Sequence, residues 1–323
     1  MMSRSRLVDV RSLSVSYAGG SMLLGARREV VSKVSFEIDS GQCFALVGES
    51  GSGKSTIVRA MLGLERIESG RVAIGDHRLP FERGADRLAF RRSVQAVFQD
   101  PLLSLNPRHS VATIVGEPLA IHGFTSARRR ARVLDVLGRV QLPADILSRR
   151  PAQLSGGQRQ RVCIARALAL EPCLLIADEP LSSLDVRVQA GIMDLLMDLK
   201  ERERMTLLLV SHDMDLVRLA ADRVGVLYSG RLVEIGPVGE VYDSPAHPYT
   251  RSLLAASPER LKGALPGSEM VARRPPSAIG CAYRDNCRLA DLRCQSTSPP
   301  MVYVSGEHRA SCFKCGAGPG TGA

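Results

Sequence analysis

The chain contains no tryptophan, and aromatic residues make up only 4% of its 323 residues. A platform that stacks successive unpaired bases needs many exposed rings, so this scarcity counts against a single-strand nucleic-acid binder. Long apolar runs are also missing: no window approaches the roughly 18 uncharged apolar residues that cross a bilayer. Met1 to Asp9 holds no apolar core of signal-peptide length, so the chain is expected neither to span a membrane nor to enter the secretory route by itself. There is no internal repeat. Acidic residues are outnumbered, 33 against 43 Lys and Arg, which leaves a net charge of +10. That excess suits nucleic acid, an anionic membrane surface or nucleotide phosphates and selects none of them.

Hydrophobic residues at 45% and charged residues at 24% are those of a folded globular protein, which excludes disordered, collagen-like and coiled-coil classes. The length suits two domains, or one of roughly 200–250 residues with an extension. Cysteine use is uneven. Cys43, Cys163 and Cys173 lie in apolar stretches, whereas Cys281, Cys287, Cys294, Cys312 and Cys315 crowd the tail. In a reducing compartment such a cluster points to metal before disulfides.

Apolar runs predict strands at Leu7 to Tyr17, Val34 to Ile38, Cys43 to Val47 and Arg71 to Ile74. A helical pattern covers Ser55 to Leu64, and Val111 to Leu142 is helical and rich in arginine, including Arg128 to Arg132. A helix over Gly157 to Leu170 precedes a buried strand at Leu174 to Ala177. Helix Val186 to Lys200, strand Thr206 to Val210, helix Met214 to Ala221 and strands Val224 to Tyr228 and Arg231 to Ile235 follow. This alternation predicts an α/β fold with a mainly parallel sheet. Beyond Ala256 the pattern dissolves into Pro, Gly, Ser and Cys.

Gly48-Glu-Ser-Gly-Ser-Gly-Lys54-Ser55 fits G-x-x-x-x-G-K-[ST] and lies between a predicted strand and a predicted helix, the context that motif requires. Glycines let backbone N–H groups turn inward around phosphate oxygens, and the helix start adds its dipole. Lys54 supplies a point charge and Ser55 a hydroxyl for Mg²⁺. At Leu174-Leu-Ile-Ala-Asp178-Glu179 an apolar strand ends in two acids, at the sheet edge where α/β proteins place ligand chemistry. Asp178 is expected to hold Mg²⁺ and Glu179 to act as general base on the attacking water.

Phosphate binding is shared by kinases, GTPases, helicases and transporters. The discriminating run is Leu154-Ser155-Gly156-Gly157-Gln158, which resembles the signature of the ATP-binding subunits of ABC transporters. Other motifs of that family follow in order: Gln99 resembles the Q-loop, Ser182-Ser183-Leu184-Asp185 the D-loop, and His212 the switch histidine. The resemblance implies a P-loop ABC nucleotide-binding domain over 1–255, with an antiparallel β subdomain and a helical subdomain at about 100–170, then a Cys-rich extension over 256–323. It implies ATP hydrolysis, with Glu179, His212 and Gln99 catalytic and Mg²⁺ on Ser55, Gln99 and Asp178. ATP is expected at Tyr17, Gly48, Glu49, Ser50, Gly51, Ser52, Gly53, Lys54, Ser55 and Thr56. Ser155, Gly156, Gly157 and Gln158, with Asp185 of the D-loop, would face ATP held by an opposite subunit.

Gln99-Asp-Pro-Leu-Leu-Ser-Leu-Asn-Pro-Arg108 and His247-Pro-Tyr-Thr-Arg-Ser-Leu-Leu254 resemble segments of the oligopeptide, dipeptide and nickel importers. Arg108 is similar to the second of their two paired ATPases, which implies a heterodimer, two membrane permeases, a solute-binding protein and a peripheral place on the cytoplasmic membrane face. The tail resembles an extension that in some members holds a [4Fe–4S] cluster, implying Cys281, Cys287, Cys294 and Cys312 as ligands. The thiols themselves suit an iron–sulfur cluster, zinc or no ligand. Accessory ATPases of the soluble carbon–phosphorus lyase system share the cassette and form the alternative. A nucleic-acid ATPase is not expected, because the cassette is single and uninterrupted.

Overall fold

The computed structural model describes residues 5–18, 27–81, 84–182, 184–256, 277 and 279–315; Ser183 and the proline-rich run 257–276 lie outside them. In chain order the strands are β1 (Arg6–Ala18), β2 (Arg27–Asp39), β3 (Cys43–Val47), β4 (Ser69–Ile74), β5 (His77–Leu79), β6 (Val94–Val97), β7 (Leu174–Asp178), β8 (Thr206–Ser211), β9 (Arg223–Tyr228), β10 (Arg231–Pro237), β11 (Val302–Ser305) and β12 (His308–Ala310). The helices are α1 (Lys54–Met61), α2 (Gly84–Ser93), α3 (Pro101–Ser104), α4 (Val111–Ile121), α5 (Ser126–Arg139), α6 (Gly156–Leu168), α7 (Val186–Glu203), α8 (Met214–Ala220), α9 (Val238–Asp243), α10 (Pro248–Ala255) and α11 (Leu292–Ser296).

Strands β2-β1-β4-β5 form an antiparallel sheet. In β1 the buried positions change from even (Val8, Val10) to odd (Leu13, Val15), which a regular strand would place on opposite faces. An irregularity between Val10 and Leu13 keeps all four on the core face; Ser12 sits there with φ 47°.

The second sheet runs β11-β12-β10-β9-β3-β8-β7-β6. Its five strands from β9 to β6 are parallel, and β10, β12 and β11 add antiparallel pairs. Strand β3 shows why the apolar runs are continuous: Cys43, Ala45 and Val47 face the core shared with the helices, while Phe44 and Leu46 face the core shared with the other sheet. Phe44 stacks on Phe36 of β2, centroids 5.1 Å apart, and so joins the two sheets.

The helical run Val111 to Leu142 resolves into α4 and α5, separated at Gly123 with φ 77°. Both pack on α6 through Ile114, Val115, Val133, Val136 and Val162. Two strands that sequence periodicity does not predict lie in the tail: β11 and β12 form a hairpin whose β12 pairs with β10, Glu234 opposite Ala310 and Ile235 opposite Arg309. These strands have four and three residues and carry His308 rather than a large apolar side chain at the buried register, so no apolar alternation betrays them.

Candidate active site

Because β3, β6, β7 and β8 are parallel, their C-terminal ends share one sheet edge, and every catalytic candidate follows one of those ends. The phosphate loop leaves β3 at Val47, β7 ends in Asp178, β8 ends at Ser211 before His212, and Gln99 stands two residues beyond β6. Register sets them side by side, with Val47 opposite Ser211 and Asp178 opposite Val210.

Two glycines are required by the loop's path. A Cβ at Gly48 would lie 2.2 Å from the Leu227 carbonyl oxygen, and Gly53, which begins α1, has φ 104°. Lys54 is 4% exposed, and its Nζ donates to the carbonyls of Gly48 (2.7 Å) and Glu49 (2.9 Å). Burial holds the Lys54 ammonium below its ordinary pKa, with Glu179 and Asp178 opposing the shift. Ser55 Oγ donates to Asp178 Oδ1 at 3.4 Å. Burial raises the Asp178 pKa, and Glu179 adds to the rise while Ser55, Lys54 and Arg59 oppose it. A hydroxyl beside a desolvated carboxylate fits an Mg²⁺ site, since hard oxygen ligands and a divalent charge offset that cost. Ser50, Gly51 and Ser55 are exposed on the loop, whereas Ser52 is buried. Tyr17 on β1 is 3.5 Å from Thr56 of α1, hydroxyl to hydroxyl.

Glu179 has φ 47°, a left-handed conformation that costs a non-glycine residue about 1 kcal/mol or more. Its N–H donates to Val210 O (3.0 Å), its Oε1 stands 3.9 Å from Lys54 Nζ, and its Oε2 stands 3.5 Å from Nδ1 of the exposed His212. Strand register, a backbone bond and a bend thus aim this carboxylate between the lysine and the histidine. Gln99 is exposed and precedes Asp100, whose carboxylate caps α3 by accepting from Leu102 N (2.7 Å).

The signature opens α6 with a capping box: Ser155 Oγ accepts from Gln158 N (3.3 Å), and Gln158 Oε1 accepts from Ser155 N (3.0 Å). Ser155 and Gly156 are exposed. A Cβ at Gly157 would lie 2.8 Å from Val188 Cγ1, so glycine lets α6 close on α7, which Asp185 caps by accepting from Val188 N (3.0 Å). Among the described residues no hydrogen bond joins Ser155 to Gln158 with the phosphate loop of the same chain.

Motif reading misses Tyr249, although it lies in the importer-like segment His247 to Leu254. It is buried in α10, and its hydroxyl accepts from Glu49 N in the phosphate loop at 3.1 Å. Glu234, fully buried in β10, escapes notice as well, because one acid in an apolar run has no motif.

In the tail, Cys281, Cys287, Cys294 and Cys312 line one small cavity with Pro299 and Phe313. Burial raises the thiol pKa of Cys281 and Cys287, whereas a hydrogen bond from Cys315 pulls Cys312 down to about 6. Among the described residues no three His, Cys, Asp or Glu side chains are grouped to hold a metal ion. The described residues also enclose a larger cavity, about 290 Å³, between β2, β10 and the tail rather than at the phosphate loop. Ser50, Gly51 and Ser55 leave the outer side of the loop exposed, as suits a site that a second subunit covers.

No described helix is long and apolar enough to cross a membrane. Residues 31–182 match the ABC transporter family, and residues 233–294 match the oligopeptide/dipeptide transporter C-terminal region. The chain is 44% identical to the oligopeptide transport ATP-binding protein OppF of Streptococcus mutans over 80% of this chain and 83% of that one. It is 40% identical to a putative peptide import ATP-binding protein of Brucella ovis over 97% of this chain and 99% of that one. Among solved structures it resembles cbiO1 of Clostridium perfringens, part of the ABC transporter complex cbiONQ (TM-score 0.65, 29% identity, 74% of this chain and 92% of that one). It also resembles a dimeric ATP-binding cassette in a post-hydrolysis state bound to ADP and Pi (TM-score 0.64, 29% identity, 72% and 99%). With its ordered motifs on this α/β cassette, the chain belongs to the ATP-hydrolysing subunits of ABC transporters and carries the C-terminal region of the oligopeptide/dipeptide group.

Proposed function

We propose that this ATPase drives peptide import from the cytoplasmic face of the cell membrane, paired with a second, non-identical ABC ATPase and coupled to two permeases and a solute-binding protein. The observation that carries the reading is a division of the site. Loop, acids and histidine share one sheet edge, whereas Ser155 and Gly156 stand exposed at the start of α6 and, among the described residues, make no hydrogen bond to their own loop. Such a half-site suits closure by a second ATPase. Relatives named for oligopeptide transport and peptide import, together with the matched C-terminal region, support peptides over a soluble carbon–phosphorus lyase complex.

Lys54 would exchange its two carbonyl partners for phosphate oxygens, and Tyr17 would pack against adenine. Ser55, Asp178 and Gln99 would hold Mg²⁺, which supplies neutralisation of phosphate charge. Glu179 would take a proton from the attacking water, and His212, beside it, would orient the reacting end. Ser155, Gly156, Gly157 and Gln158, with Asp185, would complete the partner's site. We also assign Cys281, Cys287, Cys294 and Cys312 as ligands of a [4Fe–4S] cluster, supported by the small cavity they share, within which binding of the cluster would have to draw the four sulfurs together.

Proteoliposomes holding the permeases, both ATPases and the binding protein test the transport reading. ATP-dependent uptake of labelled peptide is expected, lost in Glu179→Gln; a complex that hydrolyses ATP and carries no peptide overturns it. Anaerobic purification with iron and acid-labile sulfide assays tests the cluster, and normally folded protein free of both overturns that assignment.

A further inference from the structure

One peptide group of the phosphate loop is gripped at both ends. The Gly48 carbonyl accepts from Lys54 Nζ at 2.7 Å, and the N–H of the same peptide, on Glu49, donates to Tyr249 Oη at 3.1 Å. The flanking Gly48 has φ 154°, a region that favours glycine, so no side chain at that position helps to hold this peptide. When Lys54 turns to a phosphate, its hold on the Gly48 carbonyl is released. Of these two grips only Tyr249, 200 residues away in sequence, then remains.

Tyr249 is itself rigidly placed. It is 1% exposed, and its N–H donates to His247 Nδ1 (3.0 Å) in the first turn of α10. Its ring meets Tyr228 at the end of β9 (4.5 Å between centroids) and Tyr283 (5.5 Å), and those two meet each other edge-on (5.2 Å). Tyr283 lies between Cys281 and Cys287 in the tail, and its hydroxyl is 2.9 Å from Ser252 Oγ of α10. A continuous contact therefore runs from the Cys-bearing tail through Tyr283 and Tyr249 to the phosphate loop.

We propose that Tyr249 is a positioning residue for ATP binding: its hydroxyl fixes the Gly48–Glu49 peptide, and the tail, through Tyr283, fixes Tyr249. The inference rests on the ATPase reading and requires neither peptide transport nor a group bound to the cysteines. A hydrogen bond present before and during reaction strengthens substrate binding without lowering the chemical barrier, so its loss raises KM and spares kcat.

The test uses the full-length chain, alone for ATP titration and thermal unfolding and paired with its partner ATPase for steady-state kinetics. Tyr249→Phe keeps the ring and removes the hydroxyl; KM for ATP is expected to rise about three- to ten-fold with kcat within twofold. Tyr283→Leu should raise KM in the wild-type background and add little on Tyr249→Phe, because both act through one bond. An unchanged KM in Tyr249→Phe, with or without a lower Tm, overturns the positioning role. Effects of Tyr249→Phe and Tyr283→Leu that multiply overturn the link to the tail. Wild-type chain that binds no ATP, like Lys54→Ala, would instead fault the ATPase reading itself.

Discussion

Glu234 and His308 form a buried pair across the β10–β12 junction, with His308 Nε2 2.7 Å from Glu234 Oε1. The same carboxylate accepts from Ala246 N (2.7 Å) and His247 N (2.9 Å). One fully buried acid thereby holds the core sheet, the entry to α10 and the tail hairpin together. Glu234→Ala would leave two main-chain N–H groups and an imidazole without their acceptor. A loss of about 3 kcal/mol is expected, measured by urea unfolding, against about 1–2 kcal/mol for His308→Ala, which removes one of the three donors.

Glu179→Gln and Lys54→Ala should fail at different steps. The first keeps the loop and its lysine, so ATP binding should persist while hydrolysis falls about 10²–10⁴-fold, as loss of a general base does. The second removes a ground-state phosphate contact and should raise the Kd for ATP. Equilibrium binding and phosphate-release assays on the two variants separate these outcomes.

His247 should make stability depend on pH. Burial pulls its pKa down from 6.5 to about 4, against the raising effect of Glu234 and with a smaller lowering by Arg251. The unfolded chain therefore binds more protons than the folded one between about pH 6.5 and 4. The stabilisation from keeping this imidazole neutral is fully present above pH 6.5 and is lost as pH falls toward 4. His247→Asn retains a side chain able to cap α10 and has no such titration, so its stability should fall less steeply across that window. Urea midpoints from pH 7 to 4.5 for both proteins provide the comparison.

The most legible parts of this site are contiguous runs whose chemistry is local. Gly48 to Ser55 is read from the sequence because a phosphate cradle is one turn of backbone with glycine where φ demands it. Asp178 and Glu179 are visible because an apolar strand ends on them, and Ser155 to Gln158 because a capping box has fixed spacing. Tyr249 and Glu234 are illegible for the converse reason. Their partners, Glu49 and His308, lie 200 and 74 residues away, and neither pairing leaves a local pattern.

The tail shows the same division. Its cysteines stand out by composition, but its hairpin does not, because strands of four and three residues gain their order from β10 and from Glu234 rather than from their own periodicity. Sequence alone determined the α/β alternation, the phosphate loop and the family, since each follows from spacing within a short stretch of chain. Tertiary structure alone decided that the tail completes the central sheet and that a tyrosine beside it grips the phosphate loop, because such contacts exist only once distant segments bury surface together.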